Sequence, residues 1–111
     1  MKWHILETAV QWQQILAASK NRLQLIYKHS TRCAISSVVK KRLERSGVPA
    51  DIDFYYLDLI SFRSLSNTIA EDMLVQHESP QVLLIKDGKC IYNESHSAIT
   101  MDDIIAESMH A

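Results

Sequence analysis

Three short apolar runs, Leu23–Lys28, Phe54–Ile60 and Val82–Ile85, are separated by stretches whose apolar residues recur at helical spacing, and this alternation limits the folds open to the chain. A short strand at Trp3–Leu6 comes first. Thr8-Ala9-Val10-Gln11 has the form of a capping box, and Trp12, Ile15 and Leu16 give the following helix, Ala9 to Ser19, its apolar face. Ile35, Val38, Val39 and Leu43 form the stripe of a helix that starts at Cys33 and ends at Ser46-Gly47, with Gly47 as the residue beyond its cap and Pro49 after it. Leu65, Ile69 and Met73 predict a helix over Ser64 to Val75. Asp87-Gly88 is a hairpin signal between Val82–Ile85 and a returning strand, Cys90–Asn93. Thr100-Met101-Asp102-Asp103 caps a last helix carrying Ile104, Ile105 and Met109. The order β-α-β-α-β-α-β-β-α implies parallel pairs with right-handed crossovers plus one antiparallel hairpin. The expected architecture is an α/β sandwich: a mixed sheet with helices on both faces, in one domain over residues 1–111.

Within this order, one cysteine sits where a chain places a thiol for chemistry. The strand Leu23–Lys28 runs through His29-Ser30-Thr31-Arg32 to Cys33, and Ser30 and Thr31 are good helix-capping residues, so Cys33 is expected in the first helical turn. Unpaired N–H groups and the positive end of the helix dipole lie there and favour thiolate over thiol. A thiolate is the nucleophile of disulfide exchange. Three residues on stands Ser36, so Cys33-Ala34-Ile35-Ser36 lacks the second thiol of a C-x-x-C pair. It forms only a mixed disulfide or a sulfenic acid that an outside thiol must clear.

Composition narrows the partners. A net charge of −1 gives no general attraction to nucleic acid or to an anionic membrane surface, and Lys40-Lys41-Arg42 reads as a solvated helix face. No apolar stretch approaches a bilayer span and the N-terminus lacks a signal-peptide core, so a cytoplasmic location is expected. The two cysteines, Cys33 and Cys90, are far apart, which argues against a structural disulfide in a reducing compartment. With only two glycines there is no phosphate-binding loop. His29, Cys33, His77, Cys90 and His96 include metal-ligand types, but their spacing matches no zinc pattern, and no metal site or tightly bound cofactor is expected.

The element order, the helix-initiating cysteine after the second strand and the Ser79-Pro80 dipeptide opening the hairpin together resemble the thioredoxin fold. Within it, Lys28 to Ser36 and His77-Glu78-Ser79-Pro80-Gln81 resemble the bacillithiol-system YtxJ family of monothiol bacilliredoxin-like proteins. The family pattern carries proline after the cysteine, where this chain has Ala34. The resemblance implies a thioredoxin-like three-layer sandwich. It also implies a cis Pro80 facing Cys33, leaving the backbone of Ser79 free to pair with an extended substrate. It further implies that the chain removes a low-molecular-weight thiol, bacillithiol, from S-thiolated proteins.

The expected roles follow. Cys33 is the nucleophile and Ser36 a supporting residue at the resolving position, while His29, Thr31, Arg32, His77, Ser79 and Pro80 are the candidate substrate-binding residues. His29 is a candidate to hydrogen-bond the thiolate or else to cap and pack the turn, and Lys28 and Arg32 read by default as solvated charges, with stabilisation of the thiolate or of an anionic thiol as the alternative. Cys90, on the returning strand, reads as a small core residue. The rival readings are a non-catalytic thioredoxin-fold binding module or thiol-capped stress sensor, and a monothiol protein that bridges an iron–sulfur cluster.

Overall fold

The computed structural model describes residues 1–111 as one five-stranded mixed sheet with helices on both faces. Its elements are β1 (His4–Ile5), α1 (Ala9–Ala18), β2 (Leu23–His29), α2 (Ala34–Arg45), β3 (Ile52–Asp58), α3 (Arg63–Met73), β4 (Gln81–Lys86), β5 (Lys89–Ser95), a short 3-10 turn at His96–Ala98, and α4 (Met101–Met109). The strand order is β1-β3-β2-β4-β5. β1 and β2 run parallel to β3, while β4 is antiparallel to both β2 and β5.

Period-two alternation along the central strands builds two cores. Leu25 and Tyr27 of β2, Phe54 of β3 and Val82 and Leu84 of β4 face α2 and α4, packing with Val39, Leu43, Met101 and Ile104. Ile26, Leu57, Leu83 and Ile85 point the other way, onto Trp12 and Ile15 of α1 and Leu65, Ile69 and Met73 of α3. Strands buried on both faces read as continuous apolar runs, which is why β2 and β4 stand out in the sequence. No helix is long and apolar enough to cross a membrane.

The local signals act as expected at several ends. The Gln11 N–H donates to Thr8 Oγ1 at 3.1 Å and the Thr8 N–H to Gln11 Oε1 at 3.0 Å, completing the capping box of α1. The Asp103 N–H donates to Thr100 Oγ1 at the start of α4. Asp87 and Gly88 have φ of 51° and 73°, the pair of positive angles that a two-residue hairpin turn requires.

Several boundaries differ from the sequence reading. The first strand shortens to His4–Ile5, continued only by the Leu6 N–H to Tyr56 O bond. β3 lies two residues earlier than Phe54–Ile60, because Asp58 turns the chain: its carbonyl accepts from the Phe62 N–H and its Oδ1 from the Ile60 N–H. α2 ends without a left-handed glycine. Ser46 is extended, its hydroxyl donating to the Arg42 carbonyl, and Gly47 does not adopt positive φ. α3 stops at Met73, where Leu74 takes the left-handed cap at φ 56°.

Candidate functional site

The register fixes where the two separated motifs meet. Gln81 pairs with Lys28, so Pro80 falls opposite His29 at the carboxyl end of β2, the end from which the chain leads to Cys33. The Ser79–Pro80 bond is cis, and the Pro80 carbonyl accepts from the His96 N–H at 2.9 Å. Ser79 itself lies outside β4, and neither its N–H nor its carbonyl has a hydrogen-bond partner in the protein.

Cys33 is the N-cap of α2 and not a residue of its first turn. Its backbone is extended, with φ −114° and ψ 117°, and its side chain makes no capping bond. The turn before it is closed by the Cys33 N–H to Ser30 O bond, and Ser30 Oγ accepts from the Arg32 N–H. The thiol is partly exposed. The Ser36 backbone N–H, then the Ile35 N–H and the Ser36 hydroxyl, hold its pKa below the ordinary thiol value, while partial desolvation opposes them. These are the unpaired N–H groups of a helix start, acting on a sulfur just outside it.

Ser36 is fully buried and ties the turn to the helix. Its hydroxyl accepts from the Ser30 N–H at 3.3 Å and its carbonyl from the Tyr27 hydroxyl at 2.7 Å. The buried face of α2 is therefore Ser36, Val39 and Leu43. Ile35 and Val38, expected in the core, are 46% and 62% exposed on the surface of α2. Half of the apolar stripe in the sequence belongs to the surface.

The remaining candidates divide. Thr31 and Arg32 are exposed next to Cys33. His29 is buried, its ring tilted against Tyr56 at 5.2 Å and against Tyr27 at 5.9 Å, and it makes no hydrogen bond to Cys33. Burial, with Lys40 adding like charge, lowers its pKa. Lys28 does not attend the thiol at all. Alternation turns it to the α3 face of the sheet, where it is buried and its Nζ donates to the Ser66 carbonyl at 3.0 Å, so it is neither a solvated charge nor a thiolate partner. His77 stands beside Lys28, and Glu78 lies 3.6 Å from His96 Nε2. The His77 and Ser66 contacts to Lys28 were not legible locally, since Ser66 is 38 residues away in sequence.

Cys90 pairs with Ile85, four residues along β4 from Gln81. That is about 13 Å from the Cys33 end of the sheet, beyond the ~7 Å Cα separation a disulfide tolerates. Its thiol donates to the Tyr92 carbonyl, and burial pushes its pKa up. No three His, Cys, Asp or Glu side chains gather in an arrangement that would hold a metal ion. None of the four surface clefts is lined by Cys33, Ser36 or Pro80, and the thiol is partly exposed.

The two cysteines are expected to separate by reactivity. In alkylation followed by peptide mapping, Cys33 reacts first, with a rate that rises with pH to a midpoint below the free-thiol value of about 8.5, and Cys90 reacts last. Ser36→Ala moves the Cys33 midpoint upward only slightly, because the backbone N–H of residue 36 remains. A Cys33 midpoint at or above the free value refutes this.

A β-α-β-α-β-α-β-β-α chain with a cysteine of lowered pKa at the N-cap position of the helix after β2, and a cis-proline before the antiparallel strand beside it, defines a thioredoxin-fold thiol oxidoreductase. The chain belongs to the monothiol bacilliredoxin BrxC family, whose model matches residues 4–104. Among solved structures it is similar to a thioredoxin-fold protein proposed to be an oxidoreductase, at 29% identity and TM-score 0.81 over 94% of this chain and 91% of that one. Two thioredoxins share the fold at 18% identity. That of Malassezia sympodialis has TM-score 0.76 over 98% of this chain and 90% of its own. That of Fasciola hepatica has TM-score 0.72 over 97% of this chain and 99% of its own.

Proposed function

We propose that the chain removes bacillithiol from S-thiolated proteins by a monothiol cycle at Cys33. The observation that carries this reading is a thiol with lowered pKa at an open helix start, with no second thiol in reach. The Cys33 thiolate attacks the bacillithiol sulfur of the mixed disulfide. The client–bacillithiol S–S bond breaks as the Cys33–bacillithiol bond forms, and the client sulfur leaves as thiolate and takes a proton from water. A second bacillithiol thiolate then attacks the sulfur of the bound one, releasing bacillithiol disulfide and the Cys33 thiolate. Over the cycle one free bacillithiol is oxidised to the disulfide level as the client sulfur is reduced to a thiol, and the number of disulfide bonds is unchanged.

The client is read as an extended segment. The unpartnered N–H and carbonyl of Ser79 offer it one strand-like pairing, and Ile35 and Val38 give apolar contact on the surface of α2. A partly exposed thiol outside the clefts suits a protein client better than an enclosed small molecule. Thr31 and Arg32, exposed next to Cys33, are the residues for an anionic group of the small thiol, and Cys33, Ser36, His29, His77, Ser79 and Pro80 complete the site.

Intact mass after exposure to bacillithiol disulfide and, separately, to glutathione disulfide tests this. One bacillithiol adduct per chain, mapping to Cys33, formed in preference to glutathione and lost on adding reduced bacillithiol, is the expected result. Equal labelling by both disulfides overturns the choice of bacillithiol; no adduct, or one that reduced thiol does not release, overturns the cycle.

A further inference from the structure

Lys28 is buried without a carboxylate beside it. It has no exposed surface, and its Nζ donates to the Ser66 carbonyl at 3.0 Å while lying 3.4 Å from His77 Nδ1. Desolvation brings its pKa down to about 8, so it is still an ammonium at neutral pH. An ammonium has three donors and no acceptor, so His77 Nδ1 must meet it as a lone pair. The Ser66 hydroxyl, also fully buried, lies 3.4 Å from the same nitrogen and supplies a second donor. The ring proton is then on Nε2. Nε2 has no partner in the protein and is not among its buried polar atoms, so its N–H opens to solvent. His77 lies three residues before Pro80, on the approach to the unpartnered backbone of Ser79.

We propose that Lys28 and Ser66 are positioning residues that lock His77 as the neutral Nε2–H tautomer, and that this N–H donates to a backbone carbonyl of the thiolated client segment lying along Ser79. The inference rests on the reading of Ser79–Pro80 as the client's docking edge. The charges around the ring agree with it. Burial, Lys28 from β2 and Arg63 from α3 all disfavour a protonated His77, and only the neighbouring Glu78 favours one. A neutral donor fits a peptide carbonyl, whereas an imidazolium would select a carboxylate. The lock also gives the buried lysine a role, since an apolar side chain of equal length would fill the same space without desolvating a charge.

Nitrogen-15 spectra of the histidine rings across pH test the lock, and steady-state kinetics on an S-bacillithiolated protein test the contact. In the wild type, His77 is expected to show an unprotonated Nδ1 and a protonated Nε2 at neutral pH, with a midpoint below about 6.5. Lys28→Met removes the charge and the donor, mixes the tautomers and raises the midpoint by about one pH unit. Ser66→Ala, which leaves the packing of Lys28 in place, moves both in the same direction by less and serves if the first variant does not fold. His77→Ala raises KM about five- to tenfold with kcat held, and His77→Gln, whose amide N–H falls where the Nε2–H was, restores KM to within about twofold. A wild-type His77 protonated on Nδ1, or variants that leave tautomer and midpoint unchanged, overturns the lock. An unchanged KM in His77→Ala overturns the carbonyl contact. The spectra need no substrate, so failure of the exchange cycle itself is told apart from failure of the lock.

Discussion

Replacing Cys33 with serine is expected to bring the release of a small thiol from a thiolated client down to the uncatalysed background, with no loss of stability. The chemical half of this follows from the sulfur. A serine hydroxyl is not ionised near neutral pH and forms no disulfide, so neither step of the exchange has a nucleophile. Ser36 does not substitute, being fully buried with its hydroxyl engaged by the Ser30 N–H. Cys90 does not substitute either, at the far end of β4 and β5 with a raised pKa. The structural half follows from position. Cys33 is a partly exposed N-cap whose thiol caps nothing, and serine is among the best N-cap residues, so the variant melts at or slightly above the wild-type temperature. Following client thiol release by mass while recording thermal melting separates the two effects. Exchange at the wild-type rate in Cys33→Ser refutes the assignment of the nucleophile, and loss of exchange together with a lowered melting temperature shows that folding was lost instead.

That a serine substitution there is conservative shows how the turn is built. The segment from Ser30 to Ser36 is held by backbone and serine contacts, from Cys33 N–H to Ser30 O, from Ser30 N–H to Ser36 Oγ and from the Tyr27 hydroxyl to Ser36 O. The sulfur takes no part in this frame. It is free to be attacked and released while the frame that aims N–H groups at it stays fixed, which is the preorganisation that keeps a thiolate available. Ser36 thus serves the site as a fastener and as an N–H donor, and its place at the resolving position leaves Cys33 to depend on an outside thiol.

The site was legible where local chemistry decides it. Cys33 before a helical stripe and Ser79-Pro80 before an apolar run both mark ends of elements, and ends are signalled by the residues next to them. The continuous apolar runs of β2 and β4 likewise announce strands covered on both faces. What could not be read was which way side chains face once an element is apolar on more than one side. Ile35 and Val38 lie in the same stripe as Val39 and Leu43, yet α2 buries Ser36 in their stead because the Tyr27 hydroxyl and the Ser30 N–H meet it there. Lys28 precedes the cysteine turn by a few residues, but strand alternation sends it through the sheet to Ser66 and His77. Its partners come from α3 and from the loop before Pro80, and no short-range pattern encodes a pairing between such distant segments. One-residue uncertainty at the helix start has the same origin: apolar spacing locates a helix, whereas the extended φ and ψ of Cys33 decide that it caps the helix from outside.

Trp12→Ala is expected to be the most destabilising of the simple truncations, lowering the melting temperature by on the order of 15 °C. Trp12 has no exposed surface and joins α1 to the sheet and to α3, packing with Leu6, Ile15, Ile69 and Met73. Its Nε1–H donates to Asp72 Oδ2 at 2.8 Å, a second tie from α1 to α3. Removing an indole from a close-packed core costs about 3–5 kcal/mol, and a domain of this size loses about 4 °C per kcal/mol. Trp12→Phe divides that loss. It keeps much of the apolar volume and gives up the bond to a solvent-exposed carboxylate, so about 1–2 kcal/mol is expected. Trp12 lies on the α1–α3 side of the sheet, whereas the frame around Cys33 is built from β2 and α2. Well below its own melting temperature, the alanine variant should therefore alkylate at Cys33 with the wild-type rate and pH midpoint. Melting followed by circular dichroism, with alkylation at low temperature, decides it. A drop of less than about 5 °C would mean that the α1 face is not a principal part of the core, and a shifted Cys33 midpoint in a folded variant would mean that the two faces of the sheet are coupled to the thiol.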